Sequence, residues 1–129
     1  MIDFYFYKRI NNFFRILKTL GIDYKIISLY RSYKEQQMLY ETQRFFIPTD
    51  PPWDSYHVKG RAVDIIVPDK YKKQALYIAK ELGFFARDYE NSPHLHIDNR
   101  YDDIYKYNNF LKFLILLGGI YVFTKIFKR

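Results

Sequence analysis

Ser55-Tyr56-His57-Val58-Lys59-Gly60-Arg61-Ala62-Val63-Asp64-Ile65-Ile66-Val67 is the stretch on which the fold turns. Upstream of it, residues 46–56 hold three of the five prolines and read as a loop. Downstream, Ala62 to Val67 is a short, almost wholly apolar run rich in β-branched residues, which predicts a buried strand. Gly60 stands between the two, where a glycine would let the chain turn tightly.

The remaining elements fall into place on both sides. Ile10, Phe13, Phe14, Leu17 and Leu20 recur at helical spacing, and Gly21 follows as a stop. Lys25 to Tyr30 predicts a strand. Ser32 followed by Glu35 fits a capping box, so a helix should begin there and carry Met38, Leu39 and Phe45. Tyr71, Ala75, Ile78, Ala79 and Leu82 form another helical face, closed by Gly83. Residues 84–87 and 94–98 read as two further short strands. The expectation is an α+β domain over residues 1–100, with helices packed on a small, mostly antiparallel sheet.

Length and composition agree with one domain. The chain has 129 residues, 49% of them hydrophobic and 21% aromatic, enough to build a core and too apolar for a disordered chain. Cysteine is absent, which excludes disulfides, thiolate metal sites and a cysteine nucleophile. The net charge of +7 suits an anionic partner, whether nucleic acid, an anionic membrane surface or an acidic wall polymer. No dense Lys/Arg run appears, so nucleic acid is not an expected partner.

Residues 101–129 differ from the rest. Phe110 to Phe127 is mostly apolar, and its uninterrupted part, Phe113 to Phe123, is shorter than the about 20 residues a membrane span needs. Tyr105 and Tyr107 before it, with Lys128 and Arg129 after it, resemble interface anchors. Two readings stand for this C-terminal hydrophobic helix: a membrane anchor over residues 110–127, or a helix packed on the domain or a partner. The N-terminus carries no ordinary secretory signal pattern.

All three histidines, His57, His94 and His96, lie in strand or strand-approach segments beside carboxylates. His94 and His96 alternate along one strand and share a face. Zinc accepts imidazole nitrogen and carboxylate oxygen, and a catalytic zinc takes three protein ligands. His57, Asp64 and His96 supply such a set if the strand after Gly60 lies beside residues 94–98. A zinc ion acidifies water and polarises a carbonyl. Hydrolysis then needs a general base, for which Glu90 is the nearest candidate, with Asp88 and Asp98 as competitors.

The same residues carry a family resemblance. Ser55-x-His57-x-x-Gly60-x-Ala62-x-Asp64-Ile65 resembles the S-x-H-x-x-G-x-A-x-D-[IL] signature of the zinc D-alanyl-D-alanine carboxypeptidase and L-alanyl-D-glutamate endopeptidase family. That family includes phage endolysins and vancomycin-resistance D,D-dipeptidases, and shares its fold with the Hedgehog signalling domain. Leu29-Tyr30-Arg31-Ser32-x-x-x-Gln36 resembles its G-Y-R-[ST]-x-x-x-Q segment, and His94-Leu95-His96-Ile97-Asp98 its H-x-H-[VI]-D motif, in the family's order over residues 24–100.

The resemblance implies one zinc ion held by His57, Asp64 and His96. It implies catalytic roles for His94, which would bond the reacting carbonyl or the substrate, and for Arg31, which would hold a substrate oxygen. Ser55, Gln36, Tyr56 and Asp98 would support the site or touch substrate. Pro93 stands where many members place the catalytic Glu; Glu90 fits the Hedgehog-like placement, six residues before the last ligand. Leu29 stands where the family usually has Gly.

The function so implied is hydrolysis of a bond in peptidoglycan stem peptides, as a D,D-carboxypeptidase or an endolysin-type endopeptidase, in a phage or bacterium. The body would lie on the cell-wall or periplasmic side, with the tail holding it at the inner membrane or within a virion. The alternative is an inactive zinc-binding wall module on the same fold.

Overall fold

The computed structural model describes residues 1–89 and 92–103. Helix α1 spans Phe4–Thr19, with the Asp3 carboxylate accepting from the Phe6 N–H at 2.9 Å. Its buried stripe is Phe6, Ile10, Phe13, Phe14 and Leu17, the face that the apolar spacing predicts. Gly21, at φ 72°, turns the chain out of the helix.

Strand β1 is Lys25–Ser28, helix α2 Tyr33–Gln43 and strand β2 Ala62–Ile66. A 3-10 turn at Asp69–Tyr71 leads into α3, Lys72–Glu81. Strands β3, Phe85–Asp88, and β4, Leu95–Asp98, complete the sheet. Its order is β1-β2-β4-β3 and every neighbouring pair is antiparallel.

Alternation along the strands divides the sheet into two chemically distinct faces. Val63, Ile65, Leu95 and Ile97 pack with α1, and with Ala75 and Ala79 of α3, into one apolar core. The opposite face carries Asp64, His96 and Asp98, all buried. Asp64 lies directly across the ladder from His96, so β2 beside β4 supplies the juxtaposition that the ligand set requires.

Two sequence expectations need correction. The first strand stops at Ser28, not Tyr30, after an irregularity between Ile26 and Ser28. Beyond it the backbone has other partners: the Leu29 carbonyl accepts from the His57 ring, and the Arg31 N–H donates to the His57 carbonyl at 3.2 Å. Helix α2 ends before Phe45, which is exposed, as is Met38, and its one buried side chain is Gln36. The helix therefore walls a cleft instead of adding to the core. The Ser32 cap is present, its hydroxyl accepting from the Glu35 N–H at 3.1 Å.

The expected C-terminal hydrophobic helix, with its segment 110–127, lies outside the described residues, as does Glu90. Residues 102 and 103 are bound to the body: Asp102 pairs with Arg9, and Asp103 with Arg61 at 2.8 Å. Among the described residues no helix is long and apolar enough to cross a membrane.

Candidate metal centre

His57 reaches the sheet from the loop that ends at Gly60. Gly60 has a φ of 70°, and a Cβ there would lie 2.1 Å from the Met1 carbonyl oxygen and 2.9 Å from the Ile2 Cα. Both the turn and the backbone packed on it require glycine. The His57 ring is oriented by its Nδ1, 2.6 Å from the Leu29 carbonyl oxygen. A carbonyl only accepts, so Nδ1 carries the proton and Nε2 presents a lone pair.

That Nε2 is buried and has no hydrogen-bond partner, the single such side-chain atom among the described residues. It sits 3.1 Å from Asp64 Oδ1 without the alignment of a hydrogen bond. His96 converges on the same oxygen, its Nδ1 at 2.9 Å, while its Nε2 lies 2.7 Å from Asp98 Oδ2. Asp98 is fixed in turn by Arg100, through its backbone N–H at 2.9 Å and Nη2 at 2.6 Å. A carboxylate that holds one imidazole nitrogen so that the other faces inward is the usual support of a metal-ligating histidine.

Candidate ligand atoms of His57, Asp64 and His96 all lie within 4.8 Å of one another, and all three residues are buried. An unprotonated imidazole nitrogen against a carboxylate oxygen is electrostatically unfavourable, and an unpaired buried polar atom is costly. A cation between the three removes both costs, and the two-nitrogen, one-oxygen donor set suits zinc. The residues present fit the ion that the motif implies.

The electrostatics of the three side chains point the same way. Burial alone would push the Asp64 carboxyl up, but the His96 imidazole hydrogen-bonded at its oxygen holds it well below the usual carboxylate range. Burial pulls His96 down, yet Asp64 and Asp98 raise its pKa from 6.5 to about 9. A proton on His96 thus substitutes for a cation.

Because the folded value is raised, protonated His96 contributes stability that is complete below about pH 6.5 and lost as pH rises through about 9. Chelator-treated protein is therefore expected to melt at a lower temperature at pH 9 than at pH 6, with the difference shrinking when zinc is restored. Thermal denaturation monitored by circular dichroism at the two pH values checks this.

The cleft over the trio has a volume of about 220 Å³ and is lined by, among others, Arg31, Gln36, Asp50, Ser55, Tyr89 and His94. Arg31 donates from Nη2 to Asp64 Oδ2 at 2.7 Å and from Nη1 to Gln36 Oε1 at 3.1 Å. Gln36 donates to the Asp50 carbonyl at 2.8 Å, tying α2 to the loop. His94 Nε2 stands 3.8 Å from Asp64 Oδ2, and its Nδ1 pairs with the Ser92 hydroxyl. Burial lowers the His94 pKa from 6.5, against the pull of the Asp64 charge, so this ring is neutral at pH 7.

Tyr56, Trp53 and Asp88 stand apart from the trio. The Tyr56 hydroxyl donates to Asp103 at 3.3 Å, and Lys59, Arg61 and Arg100 surround its ring. Trp53 is 60% exposed and meets Tyr40 edge-on. Asp88 is 3.7 Å from Lys72 of α3, and Asp98 is taken up by His96 and Arg100, so neither competes as a base.

Sequence reasoning missed Asp50 and Tyr89. Asp50 sat in a stretch read only as loop. Tyr89 lies within 5.3 Å of the His94 ring and 6.4 Å of the His96 ring, centroid to centroid. Burial, with the Asp64 charge behind it, pushes its hydroxyl up to about 12, so it stays protonated. No periodicity marked either residue.

An antiparallel sheet with a His-Asp-His cation site at the floor of an open polar cleft is the framework of a metal-dependent hydrolase. The sequence model of the VanY family, D-alanyl-D-alanine carboxypeptidase, matches residues 2–109, and the chain belongs to that family. It is accordingly a D,D-carboxypeptidase of a bacterial cell-wall enzyme family. The endolysin and phage attributes of the wider resemblance have no counterpart in this match. No curated protein sequence matches the chain.

Proposed function

We propose that this chain removes the terminal D-alanine from peptidoglycan stem peptides ending in D-Ala-D-Ala, using one zinc ion held by His57, Asp64 and His96. The observation that carries this reading is the buried, partnerless His57 Nε2 facing the Asp64 and His96 donor atoms. When bound, zinc supplies a Lewis acid that activates water and polarises the scissile carbonyl.

The chain's own residues do the rest. Arg31 spends donors on Asp64 and Gln36, and the rest of its fork remains for a substrate oxygen. Neutral His94, with Nδ1 held by Ser92, turns Nε2 to the same side and bonds the carbonyl oxygen as charge grows there. Glu90, on the strength of the motif, takes the proton from water and delivers it to the leaving amine. Ser55 and Gln36 hold the cleft's shape, and Asp98 fixes His96.

The direct test is incubation of the zinc-loaded protein with a synthetic stem pentapeptide, followed by mass spectrometry. Free D-alanine and the tetrapeptide are expected, and their formation should stop with a chelator. Stoichiometric zinc without any cleavage would leave the inactive wall module as the correct reading.

Arg31→Ala is expected to lower kcat/KM by roughly 10²-fold or more, the scale of one lost oxyanion-type donor. Arg31→Lys should recover only part, since an ammonium lacks the planar fork. Steady-state kinetics with zinc content measured in parallel checks both. For the tail, whose start at residues 102 and 103 is tied to the body, we propose that residues 110–127 hold the wall-side body at a membrane. Vesicle flotation of the full chain against a truncation after Asn109 tests it; a full chain that stays at the bottom of the gradient rules it out.

A further inference from the structure

The catalytic cleft, at about 220 Å³, is smaller than the roughly 300–1,000 Å³ typical of a site that encloses a whole ligand. It takes the end of a peptide, and the remainder must leave by an open side. Arg31 and Leu39 line the cleft, and both also line a second groove of about 530 Å³. One wall of that groove is the chain at residues 27–31, from the outer strand β1 to Arg31. The other is Glu35, Met38 and Leu39, the i, i+3, i+4 stripe of α2.

This outer strand has one sheet neighbour, β2, and its other edge is free among the described residues. Native proteins blunt such edges with short length, bulges, charge, proline or cover, and β1 has the first two, being four residues long with an irregularity between Ile26 and Ser28. Here residues 25–28 carry one charge, Lys25, and Ile26 and Ile27 are 39% and 42% exposed. Tyr30 and Met38 extend the exposed apolar surface along the groove. A free strand edge beside an apolar wall, opening at Arg31 into the reaction centre, has the form that recognises an extended peptide by strand addition.

We propose that the part of the stem peptide preceding D-Ala-D-Ala binds in extended form along the free edge of β1, with its side chains against Ile27 and Met38. This rests on the proposed carboxypeptidase reading for which peptide arrives, and it adds where the peptide's non-reacting part lies. Remote contacts of this kind determine which length of peptide is a good substrate.

Fluorescence anisotropy of a labelled stem pentapeptide on the zinc-loaded full chain tests the groove whether or not a bond is cut. Met38→Asp and Ile27→Glu, both at exposed positions, are each expected to weaken binding about tenfold, the effect of placing a charge in an apolar contact. N-methylation of an amide upstream of D-Ala-D-Ala should weaken binding similarly in at least one of two adjacent positions, because alternate N–H groups face the strand. Zinc content should not change. Binding that ignores both substitutions, or no pentapeptide binding at all, overturns the proposal. D-alanine release with binding insensitive to the groove keeps the carboxypeptidase reading and removes the groove; groove-sensitive binding without release does the reverse.

Discussion

His96→Ala is expected to lose both the ion and the reaction. Purified wild-type protein should carry about one zinc per chain, and the variant none, by elemental analysis. D-alanine release should fall by on the order of 10³-fold or more, since Lewis-acid stabilisation is worth several kcal/mol and each 1.36 kcal/mol is tenfold. The physical reason is the convergence of His96 Nδ1 and His57 Nε2 on Asp64 Oδ1, at 2.9 and 3.1 Å. Removing one imidazole leaves two donors for an ion that takes three protein ligands in a catalytic site. The circular dichroism spectrum should stay that of a folded protein, because His96 points away from the apolar core on the other face of the sheet. A variant that keeps its zinc and its turnover would show that the trio is a hydrogen-bond cluster and nothing more.

The second large effect separates binding of the ion from chemistry. Glu90→Gln is expected to keep zinc and lose about 10²–10⁴-fold in kcat, the usual contribution of a general base. Asp50→Asn is the informative companion, because Asp50 and Asp64 are the carboxylates that line the cleft among the described residues. If Asp50→Asn silences the enzyme and Glu90→Gln does not, the proton passes through the loop carboxylate. Measuring zinc in both variants keeps a lost ion from being mistaken for a lost base.

Much of the fold was legible because its signals are local. The α1 stripe, the Ser32 cap and the positive-φ turns at Gly21, Gly60 and Gly83 each follow from residues a few positions apart. Alternation along β2 and β4 put the apolar residues on one face and Asp64 and His96 on the other. What the sequence misjudged depended on distant partners. Leu29 looked like the end of a strand, but its carbonyl is claimed by a ring 28 residues away. Phe45 was expected on the helix that Ser32 caps, yet α2 ends before it and the Arg44 guanidinium lies over its ring at 4.9 Å. Asp50 and Tyr89 reach the cleft only because the loop and the end of β3 fold over it, and no pattern of neighbours announces that.

The strand order has a consequence for how the protein is made. β3 is synthesised before β4, yet its sheet neighbour is β4, which sits between it and β2. Because β3 and β4 are consecutive and antiparallel, they can close as a hairpin first, and docking of β4 on β2 then completes the four-stranded sheet. That docking brings the His96 imidazole opposite Asp64, so the three candidate ligands meet only once the sheet is complete.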